Sequence, residues 1–270
     1  MVKRYSIKEA IKEASKTLSH IENPQKEARL LLCHFLQKDN TYLLLHEDEL
    51  IDERYFELVK KRADEIPLEY ITKEVSFYGE SFFIDFNCLI PRPETELLID
   101  EILKLNLPKN PKVAEIGVGS GIISIMINKL LEASIIASDI NPKAIEVSKK
   151  NIDRFDAKDI KIVQTSYLDG IEEEFDLIVS NPPYIKNDFV IDKNLTYEPS
   201  NALFGGEVGD EILKNIVDLA IIKKPKYLAC EMGYDQKAPL SEYFLKNGLE
   251  KFYFYKDLAG FDRGFVVEFD

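Results

Sequence analysis

Lys112-Val113-Ala114-Glu115-Ile116-Gly117-Val118-Gly119-Ser120-Gly121 runs straight into Ile122-Ile123-Ser124-Ile125-Met126-Ile127, and reads as a buried strand, a glycine-rich turn and an apolar helix. Glycines let a backbone approach a ligand closely, and open α/β sheets bind their ligands at the carboxyl ends of the strands. A dinucleotide fingerprint would need its third glycine at the position of Ile122, whereas here it comes one residue early, at Gly121. The spacing G-x-G-x-G, with Glu115 ahead of it, fits S-adenosylmethionine better than a pyrophosphate. Gly117, Val118, Gly119, Ser120 and Gly121 are therefore expected to bind the cofactor. Ser134-Ile135-Ile136-Ala137-Ser138-Asp139 is a second strand ending in an acid, and Asp139 is suited to take both ribose hydroxyls of a nucleoside.

Farther on, Phe175-Asp176-Leu177-Ile178-Val179-Ser180 leads into Asn181-Pro182-Pro183-Tyr184. Neither proline donates a backbone hydrogen bond, and each fixes φ near −65°, so the turn is stiff and its carbonyls stay free as acceptors. The Asn side chain adds an acceptor oxygen and a donor NH2, and the Tyr ring adds a flat face. Together these suit a planar NH2 group. Asn181, Pro182, Pro183 and Tyr184 are the expected catalytic residues, and Asn181 is expected to bind the cofactor as well. The plainer reading of the tetrapeptide is a strand stopped by proline.

With both motifs in this order, the sequence resembles the class I S-adenosylmethionine-dependent methyltransferases, and within them the release-factor glutamine N5-methyltransferases. The resemblance covers nearly the whole chain. Leu89-Ile90-Pro91-Arg92-Pro93-Glu94-Thr95-Glu96 resembles that family's lead-in to the catalytic domain, and Pro67-Leu68-Glu69-Tyr70-Ile71 with Phe77-Tyr78-Gly79 its interdomain region. Tyr197-Glu198-Pro199, Glu231-Met232-Gly233 with Gln236, and Asp257-Leu258-Ala259-Gly260 with Asp262-Arg263 match later segments in order. Thr72-Lys73 departs from the family where a glycine is usual, and Ser166 departs from it before Tyr167, where an acid often lies near the adenine. The resemblance implies a Rossmann-like sheet, parallel with a C-terminal antiparallel hairpin. It also implies methyl transfer to the glutamine of a Gly-Gly-Gln motif in class I peptide chain release factors, and contact between Tyr167 and adenine.

The organisation agrees with that reading. The 270 residues, 45% of them hydrophobic, allow two domains. Residues 1–70 read as a helical domain, expected to recognise the substrate. Ser6 with Glu9 forms a capping box, Asn23-Pro24 forms a cap and first-turn pair, and a further helix spans Asp52 to Asp64. Residues 71–90 read as a β-hairpin linker broken at Tyr78-Gly79, and 91–270 as the α/β methyltransferase domain. The strands near 250–256 and 263–269 are too close in sequence for a parallel crossover, so they pair antiparallel. No stretch approaches the roughly 20 apolar residues of a membrane span, and no signal-peptide core follows the basic N-terminus. A cytoplasmic monomer is expected, with Cys33, Cys88 and Cys230 reduced.

Net charge is −13, which disfavours binding through nucleic-acid phosphates and favours a protein substrate. The histidines, His20, His34 and His46, all fall in the helical part, so the catalytic half lacks the commonest general base and metal ligand, and no metal site is expected. Methyl transfer from a sulfonium needs neither. Acceptors at the Asn181 oxygen and the Pro182 carbonyl would orient an amide nitrogen and stabilise the positive charge that grows on it. Glu115 fits equally a contact with the methionine amino group and a cap on the following helix. Three other readings stay open from sequence: a glutamine methyltransferase of a ribosomal protein, an amino-methyltransferase of DNA or RNA acting on a flipped base, and a non-catalytic scaffold of the same fold.

Overall fold

The computed structural model describes residues 4–270, and the chain divides into two compact units. One comprises the chain up to Glu74 together with Asp192–Tyr197, the other Val75–Ile191 and Glu198–Asp270.

The first unit contains β1 (Arg4–Ser6), α1 (Ile7–Thr17), α2 (Pro24–Leu36), α3 (Asn40–Leu45), β2 (Leu50–Asp52), α4 (Tyr55–Ala63) and α5 (Leu68–Thr72). Ser6 starts α1 through the expected reciprocal box. Glu9 N–H donates to Ser6 Oγ at 3.2 Å and Ser6 N–H donates to Glu9 Oε2 at 2.9 Å, an arrangement typically worth about 1 kcal/mol. The stripe Ile7, Ala10, Ala14 and Leu18 is fully buried in one cluster with Ala28, Leu31 and Leu32 of α2 and Tyr55 and Val59 of α4. Tyr55 pays no unpaired-hydroxyl penalty there, because its O–H donates to the Ala28 carbonyl at 2.8 Å.

Two local features differ from the sequence expectation, and a third falls on the departure noted at Thr72-Lys73. Leu50–Asp52 is a strand that pairs antiparallel with Arg4–Ser6, Tyr5 opposite Ile51, and the next helix begins only at Tyr55. A three-residue strand carries no readable period, and its partner lies more than forty residues away. Asn23 precedes α2 in the left-handed region at φ 52° and makes no side-chain cap; its amide reaches Glu22 instead. Lys73 closes α5 at φ 59°. That conformation suits a glycine, so a lysine there carries a strain of about 1 kcal/mol.

The second unit opens with the hairpin β3 (Glu74–Phe77) and β4 (Glu80–Phe83), turned at Tyr78 and Gly79, both at positive φ. Then come α6 (Glu96–Leu103), β5 (Lys112–Ile116), α7 (Ile122–Leu131), β6 (Ser134–Asp139), α8 (Pro142–Phe155), β7 (Ile160–Gln164), β8 (Leu177–Ser180), β9 (Ile185–Lys186), β10 (Phe204–Gly206), α9 (Glu211–Lys223), β11 (Tyr227–Glu231), α10 (Lys237–Lys246), β12 (Phe252–Lys256) and β13 (Asp262–Glu268). Seven strands form one sheet in the order β12-β13-β11-β8-β5-β6-β7. The pairs among β11, β8, β5, β6 and β7 are parallel; β13 runs antiparallel to both β11 and β12. This is the Rossmann-like methyltransferase sheet with its C-terminal hairpin. Every residue of β8 and β11 is buried, as befits strands covered on both faces. Leu213, Ile216 and Val217 of α9 and Leu240 and Phe244 of α10 pack on one face, against Ala114, Ile178, Leu228 and Phe265. Strand order reverses between β5 and β8, with Ile116 directly opposite Ser180. That reversal opens a crevice beyond the carboxyl ends of the two strands, where open α/β sheets bind ligands.

Candidate active site

A pocket of about 240 Å³ lies at this reversal, and the loops that follow β5, β6 and β8 line it. Gly117, Gly119 and Gly121 turn the chain with φ of 78°, 51° and 82°. Gly121 must in addition be small, because a Cβ there would sit 3.0 Å from that of Ser148 on α8. The turn is tied down from β6: the Gly117 and Val118 N–H groups both donate to the Ser138 carbonyl at 2.9 Å, and Gly119 N–H donates to Asp139 Oδ2 at 2.9 Å. Asp139 Oδ1 accepts from Asn141 N–H at 2.8 Å. Each Asp139 oxygen therefore spends one lone pair on the backbone and keeps another for a ligand. Buried Asn151 on α8 links the glycine turn to the hairpin, donating to the Ser120 carbonyl at 2.8 Å and exchanging two bonds with the Phe83 backbone.

Glu115 lines the pocket and also caps the following helix. It is 1% exposed and accepts from the Ser124 N–H at 3.0 Å and from the Ser124 hydroxyl, in the first turn of α7. Burial pushes its carboxyl up to about 8, and the Ser124 bonds only partly offset this.

Asn181 leaves β8 half-buried, with Pro182 buried behind it. Its Nδ2 donates to Thr95 Oγ1 at 3.1 Å; Thr95 Oγ1 donates to Glu231 Oε2 at 2.7 Å; and the Tyr184 hydroxyl donates to Glu231 Oε1 at 3.0 Å. Among the described residues no donor takes up Asn181 Oδ1 or the Pro182 carbonyl. Glu231, at the end of β11, is 1% exposed, and burial raises its carboxyl above the ordinary range. The Tyr184 hydroxyl is raised by burial and then by the Glu231 charge. The turn is also gripped from behind. Gln236 Nε2 donates to the Tyr184 carbonyl at 3.1 Å, and a Cβ on Gly205 would lie 2.5 Å from the Pro183 carbonyl, so only glycine lets that strand pass. Beside the pocket, Glu198 is buried and holds the lead-in segment, accepting from Ile90 N–H at 2.9 Å and from Arg92 at 2.6 Å.

The chain can be compared with known proteins at this point. Residues 9–72 match the family model of the PrmC N-terminal domain, and residues 93–202 match that of the methyltransferase small domain. The release factor glutamine methyltransferase of Clostridium acetobutylicum is 33% identical over 95% of this chain and 96% of its own length. The chain belongs to the release factor glutamine methyltransferase family. A bifunctional methyltransferase of Rickettsia conorii is also 33% identical over 96% of this chain, which spans 57% of that longer protein. The N-terminal domain of human METTL16, solved in complex with SAH, shares the fold with a TM-score of 0.55 at 19% identity, covering 93% of this chain and 96% of that one.

For this member of the release factor glutamine methyltransferase family, the structure brings Gly117, Val118, Gly119, Ser120, Asp139, Tyr167, Asn181, Pro182 and Pro183 to one pocket. Gly121 and Tyr184 stand just outside its lining. Gly121 is the packing point against α8, and Tyr184 turns its ring onto the sheet core and its hydroxyl onto Glu231. Tyr167 lines the pocket from a left-handed conformation at φ 46°, its hydroxyl accepting from Asn215 at 3.0 Å. Sequence reasoning gave no role to Thr95, Asn151, Gly205, Glu231 or Gln236. Thr95, Glu231 and Gln236 fell in segments matched to the family without a role, and Glu231 also ends an otherwise apolar strand, the same place that Glu115 occupies on β5.

Proposed function

We propose that this chain transfers a methyl group from S-adenosylmethionine to the side-chain amide nitrogen of the glutamine in the Gly-Gly-Gln motif of a class I peptide chain release factor. The observation that carries the proposal is a pair of acceptors, Asn181 Oδ1 and the Pro182 carbonyl, that take no donor among the described residues, at the pocket that the glycine turn and Asp139 also line. The donor set fits the cofactor: Asp139 keeps lone pairs for ribose hydroxyls, the glycine turn admits close approach of a ligand, and Tyr167 offers a ring for the adenine. When bound, S-adenosylmethionine supplies an electrophilic methyl on a sulfonium.

The protein's own residues then have defined tasks. An amide nitrogen is a poor nucleophile because its lone pair is delocalised into the carbonyl. Accepting one N–H at Asn181 Oδ1 and the other at the Pro182 carbonyl orients that nitrogen and stabilises the positive charge growing on it as the N–C bond forms and the C–S bond breaks. One of the two protons the nitrogen already carried leaves afterwards, so no general base is required in the transition state. Pro183 walls the pocket, and Tyr184, clamped by Glu231 and Gln236, stiffens the far end of the turn. Glu198 fixes the segment around Arg92. The helical unit, outside the cofactor fold, is the proposed recognition element for the release factor.

The test is incubation with labelled S-adenosylmethionine and class I release factors, with a ribosomal protein fraction, DNA and RNA in parallel, followed by mapping of the modified residue by mass spectrometry. Label is expected on the Gly-Gly-Gln glutamine and absent when glutamate replaces it, since that change removes both N–H donors and the nucleophile. Label on nucleic acid or a ribosomal protein, with none on release factor, replaces this reading.

A further inference from the structure

We propose that Glu231 is a positioning residue: acting through Thr95, its carboxylate determines which way round the Asn181 carboxamide sits. The inference rests on the reading of Asn181 as the acceptor for the substrate amide, and it assigns the group that makes it one. A carboxamide has a nearly isosteric alternative, with oxygen and nitrogen exchanged, and only its hydrogen-bonding neighbours choose between the two. Turned the wrong way, Asn181 would present N–H groups to substrate N–H groups and could not bind the amide.

The choice follows from the direction of the chain of bonds. Ionised Glu231 has no proton to give, so the Thr95 hydroxyl at 2.7 Å and the Tyr184 hydroxyl at 3.0 Å must both donate to it. Thr95 has then spent its only proton and faces Asn181 with lone pairs alone. The Asn181 group 3.1 Å away must therefore be the NH2, which turns Oδ1 to the opposite side, free of any donor among the described residues. Thr95 and Glu231 are 2% and 1% exposed, so water does not compete to scramble the sequence. The local geometry keeps the chain in register: Thr95 lies just ahead of α6, and Glu231 ends β11 one strand over from Asn181.

Glutamine at position 231 is nearly the same size but carries an NH2 of its own. That group can donate to Thr95, which frees the threonine proton to donate to Asn181 Oδ1 and reverses the carboxamide. Protonating Glu231 on Oε2 allows the same reversal. Burial raises that carboxyl and Glu94 adds to the rise, while the Thr95 and Tyr184 bonds and then Arg263 oppose it; the Tyr255 hydroxyl faces the same carboxylate. Turnover is thus expected to fall in acid at a pH above the ordinary carboxylate range, and that limb should be missing in Glu231→Gln.

The experiment compares wild type, Glu231→Gln, Thr95→Val and Thr95→Ser in methyl transfer to release factor across pH. Alongside it, cofactor affinity is measured by calorimetry and the Asn181 side-chain NH2 signal by NMR of asparagine-labelled protein, assigned with Asn181→Ala. Glu231→Gln and Thr95→Val should lower kcat about 10- to 100-fold, the range for losing part of a preorganised acceptor. Thr95→Ser, which keeps the hydroxyl, should stay within about threefold of wild type, and cofactor affinity should change by no more than about threefold in all. The Asn181 NH2 signal should move in Glu231→Gln. Wild-type turnover in Glu231→Gln or Thr95→Val, or an unmoved Asn181 signal, overturns the inference. Should Glu231→Gln fail to fold, the valine and serine variants decide it. If wild type transfers no methyl to release factor, the function reading fails, and the NMR arm still decides the position of the carboxamide.

Discussion

Replacing Asn181 with alanine removes two things of unequal weight. The bond from Nδ2 to Thr95 is 3.1 Å long and half-buried, and losing it costs on the order of 1 kcal/mol of stability, so the fold should survive. The second loss is Oδ1, one of the two acceptors proposed for the amide nitrogen. Its interaction is strongest where positive charge develops, so it is felt in kcat more than in ground-state binding. Removing one preorganised group of this kind typically costs about 2.7–4 kcal/mol, or on the order of 10²- to 10³-fold in turnover. The ties of the glycine turn are untouched: Gly119 stays bonded to Asp139 and the turn to Ser138. Steady-state transfer of labelled methyl to a class I release factor, with calorimetric titration of S-adenosylhomocysteine, separates the two effects. We expect a kcat loss of about 10²-fold or more with cofactor affinity within about threefold. Turnover within about tenfold of wild type would show that the Pro182 carbonyl suffices and that the role given to Asn181 is wrong.

Three further outcomes follow from the same geometry. Asp139→Ala should weaken cofactor binding by about 1.5–3 kcal/mol through the lost charge-assisted acceptor, and it also frees Gly119, so unchanged calorimetric affinity would mean that another group holds the ribose. Glu115→Gln should flatten a pH dependence of stability. The wild-type carboxyl sits near 8 when folded against an ordinary 4.5, so the folded state binds its proton more tightly. That contribution is fully present below about 4.5 and lost as pH rises through about 8; melting curves of the two proteins that run parallel from pH 5 to 8 would refute it. Glu198→Ala strands the Ile90 N–H and leaves the Arg92 guanidinium without its buried partner, and should lower stability by about 2–4 kcal/mol; a Tm unchanged by scanning calorimetry would show that the lead-in segment is held by other contacts.

The local chemistry of this protein was written in its sequence wherever a local rule governs it. The Ser6–Glu9 box, the apolar stripe from Ile7 to Leu18, the glycine turn after β5 and the proline turn after β8 each depend on neighbours within a few residues, so reading along the chain finds them. The C-terminal hairpin was legible for the same reason, because a short connection leaves only an antiparallel pair. The pairing of β1 with β2 was not, since three-residue strands show no period and their contact is non-local. Nor could the sequence show what surrounds the proline turn. Asn181 meets Thr95 and then Glu231 only because β5, β8 and β11 lie side by side and the turn just ahead of α6 lies beside them. Chain order says which residues exist; the reversal of strand order between β5 and β8 sets Ile116 against Ser180 and brings the glycine turn and the proline turn to one crevice. Burial in the packed interior is what raises the Glu115 and Glu231 carboxyls, a property that no stretch of sequence carries by itself.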